Sequence, residues 1–174
     1  MKINSKTAIE MYKLGKSLEN VDLCGEDLSD ICFKNVNLTA AKLENVNFSN
    51  SDLSNSKING MHSNLSGADL KNANLEKTNF TFSCMVNTNL TNSNLSNSNL
   101  SKADLTCSKL INTNLNNVNL KAANLLNADL TNADLTNANL ESAYLRDAKI
   151  TKSQLDQVKS YDKATLPDGT IFNR

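Results

Sequence analysis

The chain contains no tryptophan, one proline, one histidine and five glycines in 174 residues. Each scarcity removes a class of protein. So little glycine and proline excludes a collagen-like or loop-built molecule. With His62 as the lone histidine, a Ser-His-Asp or Cys-His arrangement has no other imidazole to use as its base. Cys24 and Cys32 stand eight positions apart and Cys84 and Cys107 twenty-three. No C-x-x-C pair forms, and the close ligand spacing of a zinc site is missing. Net charge is also absent, because eighteen basic residues cancel eighteen acidic ones. Nothing therefore steers the whole molecule toward nucleic acid or an anionic lipid surface. No apolar run nears the roughly 18 residues of a membrane span. The start, Met1-Lys2-Ile3-Asn4-Ser5-Lys6, lacks the apolar core of a signal peptide, so a cytoplasmic protein with reduced cysteines is expected.

What the chain does have is a period of five. From Leu65 through Leu70, Leu75, Phe80, Met85 and Leu90 to Leu145, Ile150 and Leu155, every fifth residue is a large apolar one. Two positions earlier sits only Ala, Ser, Thr or Val, and the residue between is mostly Asn or Asp. The same register opens near Val21, with Leu23, Leu28, Phe33, Leu38, Leu43, Phe48, Leu53 and Ile58 as its central residues. Glu26 takes the place of a small residue in the second unit, which predicts a first coil partly open to water, since an enclosed carboxylate without a partner is costly. Between Ile58 and Leu65 the spacing is seven, so a two-residue insertion falls within 59–64 and carries His62.

Five matches neither the helical period of 3.6 nor the strand period of 2. Within one unit, however, the small and the large residue are two apart and point the same way on an extended segment. The remaining two residues must turn the chain. The second of them is Asn at many positions, among them 35, 45, 72, 92 and 132, and Gly at 25, 60 and 67. Both types tolerate left-handed corners. Short sides and corners therefore alternate into a tube lined by the large apolar residues, with Asn and Ser on the outside adding bonds along it.

Units such as Ala68-Asp69-Leu70-Lys71-Asn72 and Ala133-Asp134-Leu135-Thr136-Asn137 resemble the A(D/N)LXX motif of pentapeptide-repeat proteins. The resemblance covers residues 21 to about 157 and implies an all-β solenoid. It implies a right-handed quadrilateral β-helix of about seven coils, four units to each. Stacked one strand spacing of about 4.8 Å apart, these coils would make a rod on the order of 30–35 Å long.

Three parts are expected. Residues 1–20 form an N-terminal capping helix, over 5–14, with Thr7 and Glu10 in capping-box spacing and Gly15 past its end. Residues 21–157 form the β-helix. Residues 158–174 form a C-terminal cap or tail in which Leu166, Ile171 and Phe172 fold over the last coil after the Pro167-Asp168-Gly169 turn.

No catalytic constellation, metal cluster or cofactor loop is present in the sequence, so a non-catalytic protein with no catalytic, metal or cofactor residues is expected. Its expected use is as a protein-binding or scaffolding rod, acting on another protein or on a second copy, without direct nucleic-acid or membrane binding. Large apolar residues at outward positions mark the candidate contact patch: Phe82, Val86, Ile111 and Leu126. With twenty residues per coil, Val86, Thr106 and Leu126 stack in one column and Phe82 lies at the adjoining corner. The alternative comes from the resemblance, because some quinolone-resistance members of the family act as DNA mimics that bind DNA gyrase. Mimicry needs negative charge along the rod, and from Thr78 to Ser101 not one residue is charged.

Overall fold

The computed structural model describes residues 1–173. Its backbone winds so that the outward residue of each five-residue unit pairs in parallel with its counterpart 20 residues later, as in Asp22 with Lys42 and Asn79 with Asn99. Four units therefore make one turn, and the pairings form four ladders. Face I runs from Lys2 and Asp22 through Lys42, Asn64, Cys84, Asp104, Asn124 and Tyr144 to Thr165. Face II runs from Asp27 to Lys149, face III from Cys32 to Asp134, and face IV from Asn37 to Ser160. Each side is a single bridge long, because the chain turns again after three extended residues.

The corner has a uniform design. In most units the N–H of the small residue donates to the carbonyl of the preceding large one, as in Ala68 to Leu65 at 2.9 Å. The residue before it has positive φ, 58° at Asn72 and 60° at Asn92. That geometry is the one a type II turn demands at its third residue. Asparagine fills most of these positions because its short amide tolerates the left-handed region. The Asn or Asp ahead of each large residue has its own task. Its Oδ1 accepts the N–H two residues on, as Asn79 does from Thr81 at 3.0 Å and Asp52 from Ser54 at 3.0 Å. The turn N–H that faces away from the coil ladder is thereby satisfied.

Inside, the large residues from Leu23 to Leu145 are at most 2% exposed, and the small residues around them are nearly as buried. Most of the buried hydroxyls return to backbone: Ser83 donates to the Phe80 carbonyl at 2.7 Å and Ser98 to Leu95 at 2.6 Å. Among the described residues, Ser108 Oγ is the buried side-chain atom left without a partner. Outside, an amide ladder climbs the corner between faces II and III. Asn50 donates to Asp30, Asn72 to Asn50, Asn92 to Asn72, Asn112 to Asn92 and Asn132 to Asn112, at 2.9–3.2 Å.

Helix α1 spans Ser5–Lys13. Its N-cap is Asn4, whose side chain accepts from the Thr7 N–H at 2.9 Å; Thr7 itself is inside the helix, so the expected capping box does not form. Gly15, at φ 65°, ends it, with Gly15 N–H donating to Tyr12 and Lys16 N–H to Met11, the Schellman pattern. Tyr12 packs its ring 4.7 Å from that of Phe33 and donates its hydroxyl to the Lys34 carbonyl at 3.0 Å. Glu26 is half-buried and accepts the Ser5 N–H at 2.7 Å. The irregular carboxylate of the repeat thus meets the unpaired N–H groups and positive end of α1, where an anion is stabilised.

Two departures from strict periodicity occur. Across the insertion the pairing offset becomes 22, as in Lys42 with Asn64, while Met61 and His62 stand exposed. At the far end the sequence period of five continues but the structure does not follow it. Leu155 lies in a second helix, α2 (Lys152–Leu155), and Ser153 faces solvent. The Gln154 side chain is buried there, donating to the Leu130 and Ala133 carbonyls at 2.8 and 2.9 Å. The ladder resumes one residue out of phase, with Asn139 paired to Ser160 and Tyr144 to Thr165. In the tail Phe172 stacks on Tyr161 at 4.1 Å and Leu166 is half-buried. Ile171 pairs antiparallel with Thr165 and stays 61% exposed, so it does not fold over the coil.

Candidate interaction surface

Face I and its two bordering corners hold most of the outward apolar residues. Phe82 takes the leading corner, at φ 62° and 44% exposed, with Lys102 Nζ 4.8 Å above its ring from the next coil. A cation at that distance over an aromatic face is mildly attracted by the ring quadrupole. Cys84 lies at the centre of the same side and Val86 at its trailing corner, both half-buried. Leu126 sits two coils further along the trailing corner, since Asn87 N–H donates to Thr106 and Cys107 N–H to Leu126, both at 2.9 Å. Phe82, Val86 and Leu126 therefore border one face.

Ile111 does not join them. Asn92 N–H donates to its carbonyl, which places it at the far edge of face II, between Thr91 and Thr131 and one full side away. The four outward apolar residues look equivalent in sequence, but the corner assigns them to different edges. Two residues were missed by sequence reasoning. Tyr144, 36% exposed, occupies a bridging position of face I where Asn or Asp is usual, and that substitution was the available signal. Met61, 80% exposed, belongs to the insertion and so to the same leading corner as Phe82.

The charged groups form no stripe. Ion pairs cross between adjacent coils: Lys34 with Asp52 at 3.1 Å, Lys121 with Glu141 at 2.9 Å and Lys149 with Asp129 at 2.8 Å. The Lys149 hydrogen bond is the largest influence holding the Asp129 carboxyl below the usual range. Between these pairs the uncharged segment 78–101 makes more than one complete turn.

The other chemistry-bearing residues are dispersed. His62 is exposed in the insertion. All four cysteines are free, and burial is the main cause that pushes the Cys24 thiol up to about 12. Its Sγ donates to Glu44 Oε2 at 2.7 Å, so it is held as a thiol, not as a nucleophilic thiolate. Among the described residues no group of three or more His, Cys, Asp or Glu is placed to hold a metal, and no helix is long and apolar enough to cross a membrane.

The structure resembles that of QnrB1, a plasmid-mediated fluoroquinolone resistance protein, with a TM-score of 0.59 at 20% identity over 86% of this chain and 79% of that one. A pentapeptide repeat protein of the Arabidopsis thaliana thylakoid lumen gives 0.54 at 19% identity, over 74% of this chain and 86% of that one. Rfr23 from the cyanobacterium Cyanothece 51142 gives 0.50 at 24% identity, over 84% and 95%. These likenesses concern the fold. No curated protein matches the chain in sequence. The family described as pentapeptide repeats (8 copies) matches residues 31–61 and 62–92, and the pentapeptide repeat region family matches residues 83–159. With the repeat matched over most of its length, the chain belongs to the pentapeptide-repeat proteins.

Proposed function

We propose that this protein is a non-catalytic binding rod of the cytoplasm. Its coils, about seven in a right-handed quadrilateral β-helix, display face I to another protein or to a second copy. Residues 1–20 close one end through α1, and 158–174 close the other. The observation that carries the reading is the placement of exposed apolar side chains. Met61, Phe82 and Tyr144 all lie on face I or its leading corner, while Met1, Leu14 and Ile171 belong to the two ends. Faces III and IV present Asn94, Asn114, Asn99 and Asn119 at the equivalent positions. Apart from Ile111, the outward apolar residues between the two ends gather on one side of a polar rod, which fits a contact surface better than scatter does.

A photo-crosslinking residue in place of Val86, compared with one in place of Asn114 on face III, tests the reading in the native cell. Discrete adducts are expected from position 86 and few from 114; equal yields would sink it. Val86→Ser with Leu126→Ser, followed by light scattering, separates a second copy from an external partner. Gyrase inhibition by DNA mimicry is disfavoured, because coil-to-coil lysines neutralise the acids. A supercoiling assay is therefore expected to be insensitive to excess protein.

A further inference from the structure

One of the four corners gives up the asparagine that the others keep. The corner between faces II and III has Asp30 and then Asn50, Asn72, Asn92, Asn112 and Asn132. The corner between faces III and IV has Asn35, Asn55, Asn97, Asn117 and Asn137, interrupted by Lys77. The corner between faces IV and I starts with Asn20 and then has no further asparagine. Ala40, Gly60, Phe82, Lys102, Ala122 and Ser142 follow in successive coils, each N–H donating to the next coil. Gly60 aside, these residues sit at φ 55–62°, where alanine, lysine and above all phenylalanine are strained and asparagine much less so. The backbone there turns as it does at the other corners, so the coil itself does not call for these side chains. Strained residues gathered along one edge of a regular fold are a mark of use.

Phe82 is the most exposed aromatic residue on that edge, at 44%, and two lysines bracket it. Lys57 lies on face IV one coil below, between Asn37 and Asn79 in its ladder. Lys102 takes the same corner one coil above, its Nζ 4.8 Å over the ring. Both side chains are exposed, and among the described residues neither belongs to an ion pair. Asp104, two residues beyond Lys102, has its Oδ1 occupied by the Thr106 N–H and hydroxyl at 3.1 and 2.6 Å. Met61 adds an exposed, adaptable thioether from the insertion. A two-fold pair of copies centred on Phe82 would set Lys57 of each against Lys102 of the other, and like charges so placed repel.

We propose that the edge between faces IV and I binds an acidic segment of another protein. An apolar side chain of that segment lies against Phe82, and carboxylates on either side of it pair with Lys57 and Lys102. Coils stacked about 4.8 Å apart put the coils of the two lysines about 10 Å apart along the rod, a span that about three residues of an extended segment cover. The assignment names the partner class for the contact role proposed for face I and rests on that role.

The test titrates 15N-labelled protein at low salt with a blocked hexapeptide, Leu-Phe flanked by two acidic residues on each side, and with its counterpart flanked by lysines. Amide shifts are expected along 57–62, 79–84 and 99–104 with the acidic peptide alone, and are expected to fade in about 0.5 M salt. Phe82→Asn with Lys102→Asn should weaken binding by roughly tenfold or more while melting no lower than the parent, because asparagine relieves the corner. Lys57→Ala, on an exposed side chain, should weaken it severalfold. The proposal is overturned by an acidic peptide that shifts nothing, by shifts centred on faces II and III, or by an equal response to the lysine peptide. A double variant that binds as tightly overturns it too, as does one that melts well below the parent and so makes the pair structural. Edge shifts that grow with protein concentration before any peptide is added assign the edge to a second copy instead. Crosslinking from position 86 keeps the two readings apart: adducts that persist in the double variant sink the acidic segment alone, whereas a parent without adducts sinks the contact role of face I.

Discussion

Changing Leu110 to Ala is the sharpest probe of the stacked core. Leu110 is 0% exposed, and its counterparts one coil away on either side, Leu90 and Leu130, are buried equally. Its backbone is held by the ladder, Leu110 N–H donating to Asp129 at 2.7 Å, so the coil cannot collapse to fill the space. A Leu→Ala change of this kind costs about 3 kcal/mol, within a range of roughly 2–5. Unfolding entropy near 2.1 cal/mol/K per residue gives about 0.37 kcal/mol/K for 174 residues. The midpoint is therefore expected to drop by about 8 °C. Lys109, the exposed neighbour whose side chain points the other way, should lose under about 0.5 kcal/mol on truncation to Ala, as surface changes usually do. Urea titrations followed by circular dichroism give both values. A difference between the two variants below about 1 kcal/mol would refute the claim that the fifth-residue leucines carry the stability.

Three further outcomes follow from local chemistry. Ser108→Ala removes a buried hydroxyl that has no partner and is expected to be neutral or stabilising in a urea titration, while Ser98→Ala breaks the 2.6 Å bond to Leu95 and is expected to cost about 1 kcal/mol. Ala122 sits at φ 55°, where Asn is better tolerated, so Ala122→Asn should raise the midpoint by the equivalent of about 0.5–1 kcal/mol. The carboxyls of Asp52, Asp129 and Asp134 lie below the usual carboxylate range. Groups with depressed folded values stabilise the fold above the ordinary carboxylate range and lose that contribution as pH falls through the folded values. Stability should thus decline on acidification below about pH 4, and Lys149→Ala should move the Asp129 titration, followed by NMR, upward.

Which residues go inside is written in the order of the amino acids alone. Leu or Phe every fifth position, a small residue two before it and Asn at the corner leave the chain one consistent way to bury apolar surface. The period is local, set by side-chain direction and by the left-handed tolerance of Asn, so it is legible without knowing what lies above or below. The tertiary structure decided what depends on contacts 20 residues away. It closed each turn after four units and gave Glu26 the end of α1 as a partner. It diverted Leu155 into α2, where Gln154 found the Leu130 and Ala133 carbonyls, although the sequence period ran straight on. It also separated Ile111 from Phe82, Val86 and Leu126, and drew Tyr144 and Met61 to their side. Outward residues look alike along a repeat; only the ladder between coils fixes which of them share a face.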